Sequence, residues 1–116
     1  MELFELINNI RKRPTMYLGQ TSIGQLRTFL AGYTFARRQL GITQTPQEKL
    51  FSTFQPWVAK RLALSPQQHW DQLILAASQS EEEALQSFFQ LFDEFVASHN
   101  IEVRSMAQNS RTVTIL

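Results

Sequence analysis

Hydrophobic residues near the N-terminus recur three or four positions apart, which is the spacing that places them on one face of a helix. They are Leu3, Leu6, Ile7 and Ile10. This spacing predicts an amphipathic helix over residues 2–11. Because the segment is short, packing against the rest of the protein has to stabilise it.

A longer helical pattern follows Gly19. Ser22 and Gln25 form a capping box, and Gly41 is suited to the position after a helix end, so we expect a helix over about 23–40. Its apolar face carries Ile23, Leu26, Phe29, Leu30 and Tyr33. The opposite side is a polar face with cations, formed by Arg27, Ala31, Thr34, Arg37 and Arg38.

Proline-containing start signals mark the middle of the chain. Thr45-Pro46-Gln47-Glu48 places a capping residue before a proline at the first helical position, and it predicts a helix over 46–54. Pro56 should interrupt this helix, with a second one over about 56–63. The same signal at 65–68 predicts a helix that carries Trp70 and ends near residue 78.

The clearest capping box is Ser80-Glu81-Glu82-Glu83, which places three carboxylates at the positive end of a helix dipole. The helix after it is unusually apolar, with Leu85, Phe88, Phe89, Leu91, Phe92, Phe95 and Val96. We expect it to end near residue 99 and to be central to the core.

The last residues alternate between apolar and polar positions over 101–106 and 112–116, which is typical of a β-hairpin or an extended tail. The chain is therefore expected to form one domain over residues 1–116. Its fold class is mostly α, a compact bundle of five or six helices with a short C-terminal β-hairpin or extended tail.

Composition narrows the functional classes. The chain has no Cys, and its two histidines, His69 and His99, lack ligand spacing, so we expect no metal site. No glycine-rich phosphate loop or nucleophile motif is present, so we expect neither a cofactor nor an enzyme. The N-terminus lacks the cations of a signal peptide, and no apolar run is long enough for a membrane span. We therefore expect a soluble cytoplasmic protein.

Charge is segregated along the chain. Residues 1–61 hold nine Lys/Arg and three Asp/Glu, a net charge of +6, whereas residues 62–116 hold two Lys/Arg and seven Asp/Glu, a net charge of −5. Either the two halves attract each other within one fold, or each surface suits an oppositely charged partner.

Two sets of charged residues are candidate binding surfaces. The acidic set, suited to a basic protein partner, is Glu81, Glu82, Glu83, Asp93 and Glu94. The basic set, suited to nucleic acid with stacking by Tyr17 and Trp57, is Arg11, Lys12, Arg27, Arg37, Arg38 and Lys60.

The stretch from Arg11 to Gly19 is expected to be a structured connector. Pro14 should end the first helix and hold Arg13 in extended geometry, and residues 16–18 should form an apolar plug in extended chain. Lys12 should be freely exposed. The residues expected to be structural are Arg13, Pro14, Tyr17, Gly19, Trp57, Arg61 and Trp70, with Arg61 stacked on Trp57 or bonded to helix-end carbonyls.

Residues 11–19 resemble a segment near the N-terminus of the type II topoisomerase ATPase domain. The helix that follows lacks the Glu and Asn of that family, so no ATPase is expected. The longer pattern resembles a set of small bacterial proteins. They join Arg-x-Arg-Pro-x-Met-Tyr-Leu-Gly to the motifs found here at 22–33 and 54–62, to Trp70 and to the Phe-Asp-Glu-Phe of 92–95.

By analogy with small bacterial proteins of this kind, the resemblance implies an immunity protein of a contact-dependent inhibition toxin. We therefore expect a non-enzymatic protein-binding module that neutralises a toxin domain. The alternative is a nucleic-acid-binding or regulatory protein that uses the basic surface.

Overall fold

The computed structural model describes the backbone of residues 1–115 and the side chains of residues 1–99. The helices are α1 Leu3–Lys12, α2 Pro14–Leu18, α3 Ile23–Gln39, α4 Pro46–Phe51, α5 Phe54–Leu62, α6 Trp70–Ala76 and α7 Glu81–Ile115. No strand occurs within residues 1–115. The expected compact, mostly α-helical fold is confirmed.

The helix α2 replaces the extended plug that the sequence pattern predicted. Pro14 is its first residue, where the missing N–H and the fixed φ suit a helix start. Arg13 stays outside both helices, at φ −141° and ψ 64°. It avoids the α region, as a residue before proline should, but it does not adopt the extended geometry that the sequence predicted. Gly19 ends α2 in the left-handed region at φ +77°. Of the expected plug, Leu18 is buried but Met16 is 61% exposed.

Three of the four predicted capping residues make their capping bonds. The hydroxyls of Ser22, Thr45 and Ser80 accept from the backbone N–H three residues later, at 3.3, 3.2 and 3.1 Å. The predicted start at 65–68 is wrong, since α6 begins at Trp70. The side-chain amide of Gln55 donates to the Pro66 and Gln68 carbonyls, which holds this segment outside the helix.

The sequence pattern predicted that Pro56 interrupts a helix, and this prediction is wrong. Pro56 lies in the first turn of α5, where its missing N–H has no helical partner to lose. The break comes earlier, between α4 and α5, where the hydroxyls of Ser52 and Thr53 donate to carbonyls three residues before them at 2.5 and 2.6 Å.

The C-terminal segment also differs from the prediction. Instead of a β-hairpin or extended tail, α7 continues to Ile115, while Leu116 lies outside the described residues. The chain from Glu81 onward contains no Gly or Pro, and extending an existing helix requires no new nucleation. Alternating polarity alone therefore does not end the helix.

The α7 helix forms the centre of the core, as predicted. Within residues 81–99, whose side chains are described, the buried ones are Ala84, Leu85, Phe88, Phe89, Leu91, Phe92 and Phe95. Phe88 and Phe95 are completely buried, and the ring centroids of both lie within 5.5 Å of Phe54, also completely buried, on α5. Edge-to-face contacts of this kind stabilise aromatic cores beyond the area that they bury.

Candidate functional site

The acidic residues at the start of α7 bond within the fold. The Glu81 carboxylate accepts from the Ser22 hydroxyl at 2.9 Å and from the Gly24 N–H at 3.3 Å, so α7 caps the start of α3. The Glu83 carboxylate accepts from the Gln79 N–H at 3.3 Å. Among the described side chains, Glu82 has no such bond, and it is exposed.

The other two predicted acidic residues are paired with arginines. Asp93 accepts from Arg11 Nη2 at 2.9 Å, which joins α7 to α1. The Glu94 carboxylate accepts hydrogen bonds from Nε and Nη2 of Arg61, at 2.9 and 3.3 Å. This pair joins α7 to α5. Four of the five acidic residues therefore have partners inside this chain.

The oppositely charged halves of the chain form ion pairs with each other within the fold. The structure describes four ion pairs, and three of them join a cation of residues 1–61 to an acid of the second half. These three pairs are Arg11–Asp93, Arg27–Asp71 and Arg61–Glu94. Attraction between the two halves accounts for much of the pattern that the sequence left open.

The residues expected to be structural have different surroundings. Arg13 is exposed, and its guanidinium makes no hydrogen bond or ion pair with the described residues, so no side-chain contact supports a structural role; its backbone N–H donates to the Asn9 carbonyl at 3.2 Å. Arg61 pairs with Glu94 and not with the Trp57 indole. Trp57 packs against Phe54 and Phe95, and Trp70 against Phe54 and Phe88, while Tyr17 makes an edge contact with Phe29.

The basic set is only partly gathered. Three of its members, Arg27, Arg37 and Arg38, border neighbouring clefts on α3. Arg11 instead donates to the Phe89 carbonyl at 2.5 Å and lies 5.0 Å over the Phe89 ring. Lys12, exposed as expected, and Lys60 make no ion pair with the side chains described. The fold therefore does not collect all six cations on one surface.

The cleft on α3 has a volume of about 410 Å³ and lies between α3, α4 and α6. It is lined by Arg27, Leu30, Ala31, Thr34, Phe35, Arg38, Phe51 and Trp70. Leu30 and Trp70 are buried and form the floor, whereas the Phe35 side chain is 62% exposed. An exposed aromatic residue at the edge of an apolar floor is a feature that a partner can cover.

A second cleft of about 290 Å³ continues the first, since both are lined by Thr34 and Arg38. It adds Arg37, Gly41, Ile42, Gln44 and Glu48. We call the two clefts together the α3 groove. The exposed side chains of Leu40 and Ile42, 76% and 44% exposed, extend its apolar character past the end of α3.

The rim of the α3 groove carries three arginines, two of which form ion pairs. Arg27 Nε lies 3.4 Å from Asp71 Oδ1, and Arg37 Nη2 lies 2.8 Å from Glu48 Oε1. In both pairs the acid is the more buried side chain, 16% against 36% exposed and 9% against 21%. Arg38 is exposed and has no ion pair with the described side chains. Arg38, and Arg27 in part, therefore present their guanidinium groups to solvent beside the apolar floor, whereas Arg37 lies 5.5 Å over the Tyr33 ring with its Nε buried.

Sequence reasoning found the arginines of this site but not its aromatic residues. A signal for Phe35 was present, because it falls in the polar arc of α3 with Ala31 and Arg38, nearly opposite the buried face. No such signal exists for Phe51 and Trp70, which reach the groove from α4 and α6.

The fold and this site define an all-α protein whose groove combines an apolar floor with a basic rim. Comparison of the chain with protein-family models, curated proteins and solved structures gives no match. The side chains of residues 1–99 form no group of three or more His, Asp or Glu that could hold a metal ion. Within the described chain, no helix combines the length and apolarity required to cross a bilayer.

Proposed function

We propose that this protein is a protein-binding module without enzymatic activity, and that it acts in the cytoplasm as an immunity protein that neutralises a toxin domain. The observation that carries the proposal is the α3 groove, in which the exposed Phe35 ring lies at the edge of an apolar floor beside outward-facing arginines. Aromatic and arginine side chains supply most of the binding energy in protein interfaces.

The toxin-binding part of the proposal rests on the resemblance to small bacterial proteins that carry the motifs at 11–19, 22–33 and 54–62. Binding alone is enough for an inhibitor, which has only to cover the active site of its target. A rigid helical body suits this role, because the side chains of the binding face need little ordering when the partner arrives.

The internal contacts of the acidic set favour the α3 groove as the binding face. The acidic set was the first candidate, but Glu81, Glu83, Asp93 and Glu94 already accept hydrogen bonds or ion pairs inside the chain. A partner that used these carboxylates would have to displace these contacts. The α3 groove needs no such displacement at Phe35 or Arg38.

The test is co-expression of this chain with the product of each gene adjacent to its own. The proposal predicts a tight 1:1 complex with one of these products, and it predicts that this chain restores growth of cells in which that product is toxic. A neighbour that is toxic and is neither bound nor neutralised, with no complex for any other neighbour, would reject the proposal.

A further inference from the structure

We propose that the α3 groove binds an acidic amphipathic helix of the partner protein. The inference rests on the proposed protein-binding function and adds the face and the chemistry of the segment recognised. Three properties of the groove support it: its apolar floor, its outward-facing cations and its walls of helices.

The floor favours an apolar anchor on the partner. Leu30 and Trp70 are 5% and 9% exposed, and the cleft above them, bordered by Phe35 and Phe51, holds about 410 Å³. A leucine or aromatic side chain placed there would release water from the floor and cover Phe35. Burial of apolar surface in this way is the main favourable contribution to binding.

The rim favours carboxylates beside that anchor. Arg38 makes no ion pair with the described side chains, and Arg27 is 36% exposed against 16% for the Asp71 to which it is paired. Arg37 is 21% exposed and is held by Glu48 and the Tyr33 ring, so Arg27 and Arg38 are the cations most open to a partner. A carboxylate can bind a guanidinium through two parallel N–H bonds. Because Asp71 and Glu48 already balance part of the positive charge, the groove suits a few well-placed carboxylates and not a dense row of anions.

The same pairs argue against nucleic acid as the occupant. Phosphate binding depends on several cations that are free to displace the counterions of the backbone. In the α3 groove, Asp71 and Glu48 form ion pairs with two of the three arginines. A run of phosphates along the groove would meet these carboxylates as well as the arginines.

The walls favour a helix as the bound conformation. The groove is formed by side chains of α3, α4 and α6, and no strand edge borders it among the residues that line it. A partner segment therefore has to satisfy its own backbone hydrogen bonds, as a helix does. From Arg27 to Arg38, eleven residues along α3, the groove extends for roughly 16 Å, which is about three turns of a bound helix.

The probe is a synthetic 16-residue amphipathic helix with leucines and one tryptophan on one face and glutamates on both flanks. A second peptide replaces every glutamate by lysine, and a single-stranded DNA of 16 nucleotides represents nucleic acid. Each is titrated into the full ¹⁵N-labelled chain, and amide shifts locate the binding face. We expect the glutamate peptide to shift amides of α3 and to bind about tenfold more tightly than the lysine peptide.

Two substitutions at one exposed site of the groove test the sign of the charge. Ala31 is exposed and lines the cleft, and both Glu and Lys are good helix formers. For the glutamate peptide, Ala31→Glu should raise the Kd about fivefold and Ala31→Lys should lower it about twofold or more. Phe35→Ala should raise the Kd about fivefold or more, whereas Met16→Ala, at an equally exposed site on α2, should leave it unchanged.

The inference is overturned if both peptides bind equally, if the shifts lie outside α3, or if the DNA binds more tightly than the glutamate peptide. Its failure differs from failure of the proposed function. A toxin complex that Ala31→Glu leaves intact would retain the proposed function and reject the groove. A groove that binds the glutamate peptide in a protein that neutralises no neighbour would retain the groove and reject the immunity role.

Discussion

The polar face of α7 and the outer face of α3 both carry charged side chains, but these side chains have different surroundings. On α7, the carboxylates of Glu81, Asp93 and Glu94 each reach a donor on another helix or its cap, so the charges tie the core helix to its neighbours. On α3, Arg27 and Arg37 pair with Asp71 of α6 and Glu48 of α4, while Arg38 has no ion pair with the described side chains and Phe35 remains 62% exposed. The comparison teaches that a charged residue is informative about binding only when its internal partners are known.

The largest expected effect is the difference in stability between alanine substitutions of a buried phenylalanine on α7 and an exposed one on α3. Phe95 on α7 is 0% exposed and Phe35 on α3 is 62% exposed. Phe95→Ala should lower the free energy of unfolding by about 3–5 kcal/mol, because it removes a completely buried ring. Phe35→Ala should change it by less than about 0.5 kcal/mol. Urea unfolding measures both, and similar losses for the two variants would contradict the assignment of the two faces.

A smaller effect is expected from the bond between the starts of α7 and α3. Glu81→Gln removes the negative charge that accepts from the Ser22 hydroxyl and the Gly24 N–H, and it should cost about 1 kcal/mol of unfolding free energy. The matched control is Glu82→Gln, one residue later, where no bond within the described side chains is lost. Equal melting temperatures for the two variants would show that the Glu81 contact contributes nothing.

The outer face of α3 should tolerate a stabilising change. Gly32 lies inside this helix, and a Cβ added to it would have no neighbour within 4 Å. Gly32→Ala should raise the free energy of unfolding by about 0.5–1 kcal/mol, because alanine restricts the unfolded chain and suits a helix better. Thermal unfolding tests this expectation, and a lower melting temperature would mean that α3 is packed more tightly on this side than described.

The smallest effects concern Arg13 and Arg61, for which the sequence predicted a structural role. Arg61 and Glu94 are 51% and 48% exposed, so Arg61→Lys should cost less than about 1 kcal/mol, as expected for a surface ion pair. Arg13→Lys should change stability by less than about 0.5 kcal/mol, since no contact with the described side chains is lost. A loss of about 2 kcal/mol or more for Arg13→Lys, in urea unfolding, would restore the structural role.

Local signals in the sequence were sufficient for much of the fold. The sequence predicted the caps at Ser22, Thr45 and Ser80 and the dense apolar face of α7, because each depends on residues within a few turns. The predicted start at residues 65–68 does not form, and this segment instead contacts Gln55, eleven to thirteen residues away. Propensity signals do not contain such distant contacts.

The candidate site was less accessible to sequence reasoning. The arginines of α3 were visible as a polar face, but the groove exists only because α4 and α6 bring Phe51 and Trp70 beside them. The internal partners of the acidic set were hidden from the sequence for the same reason. Glu81 and Asp93 look free in the sequence, and their partners, Ser22 and Arg11, lie 59 and 82 residues away.

The central claim is that the α3 groove, and not positive charge in general, is the binding face. The most direct measurement is the Kd of the glutamate-flanked peptide for Arg38→Glu and for Lys60→Glu, by isothermal titration calorimetry. Both cations are exposed and lack ion pairs with the described side chains, but only Arg38 borders the groove. We predict that Arg38→Glu raises the Kd about tenfold and that Lys60→Glu leaves it unchanged. Equal weakening by the two substitutions would contradict the claim.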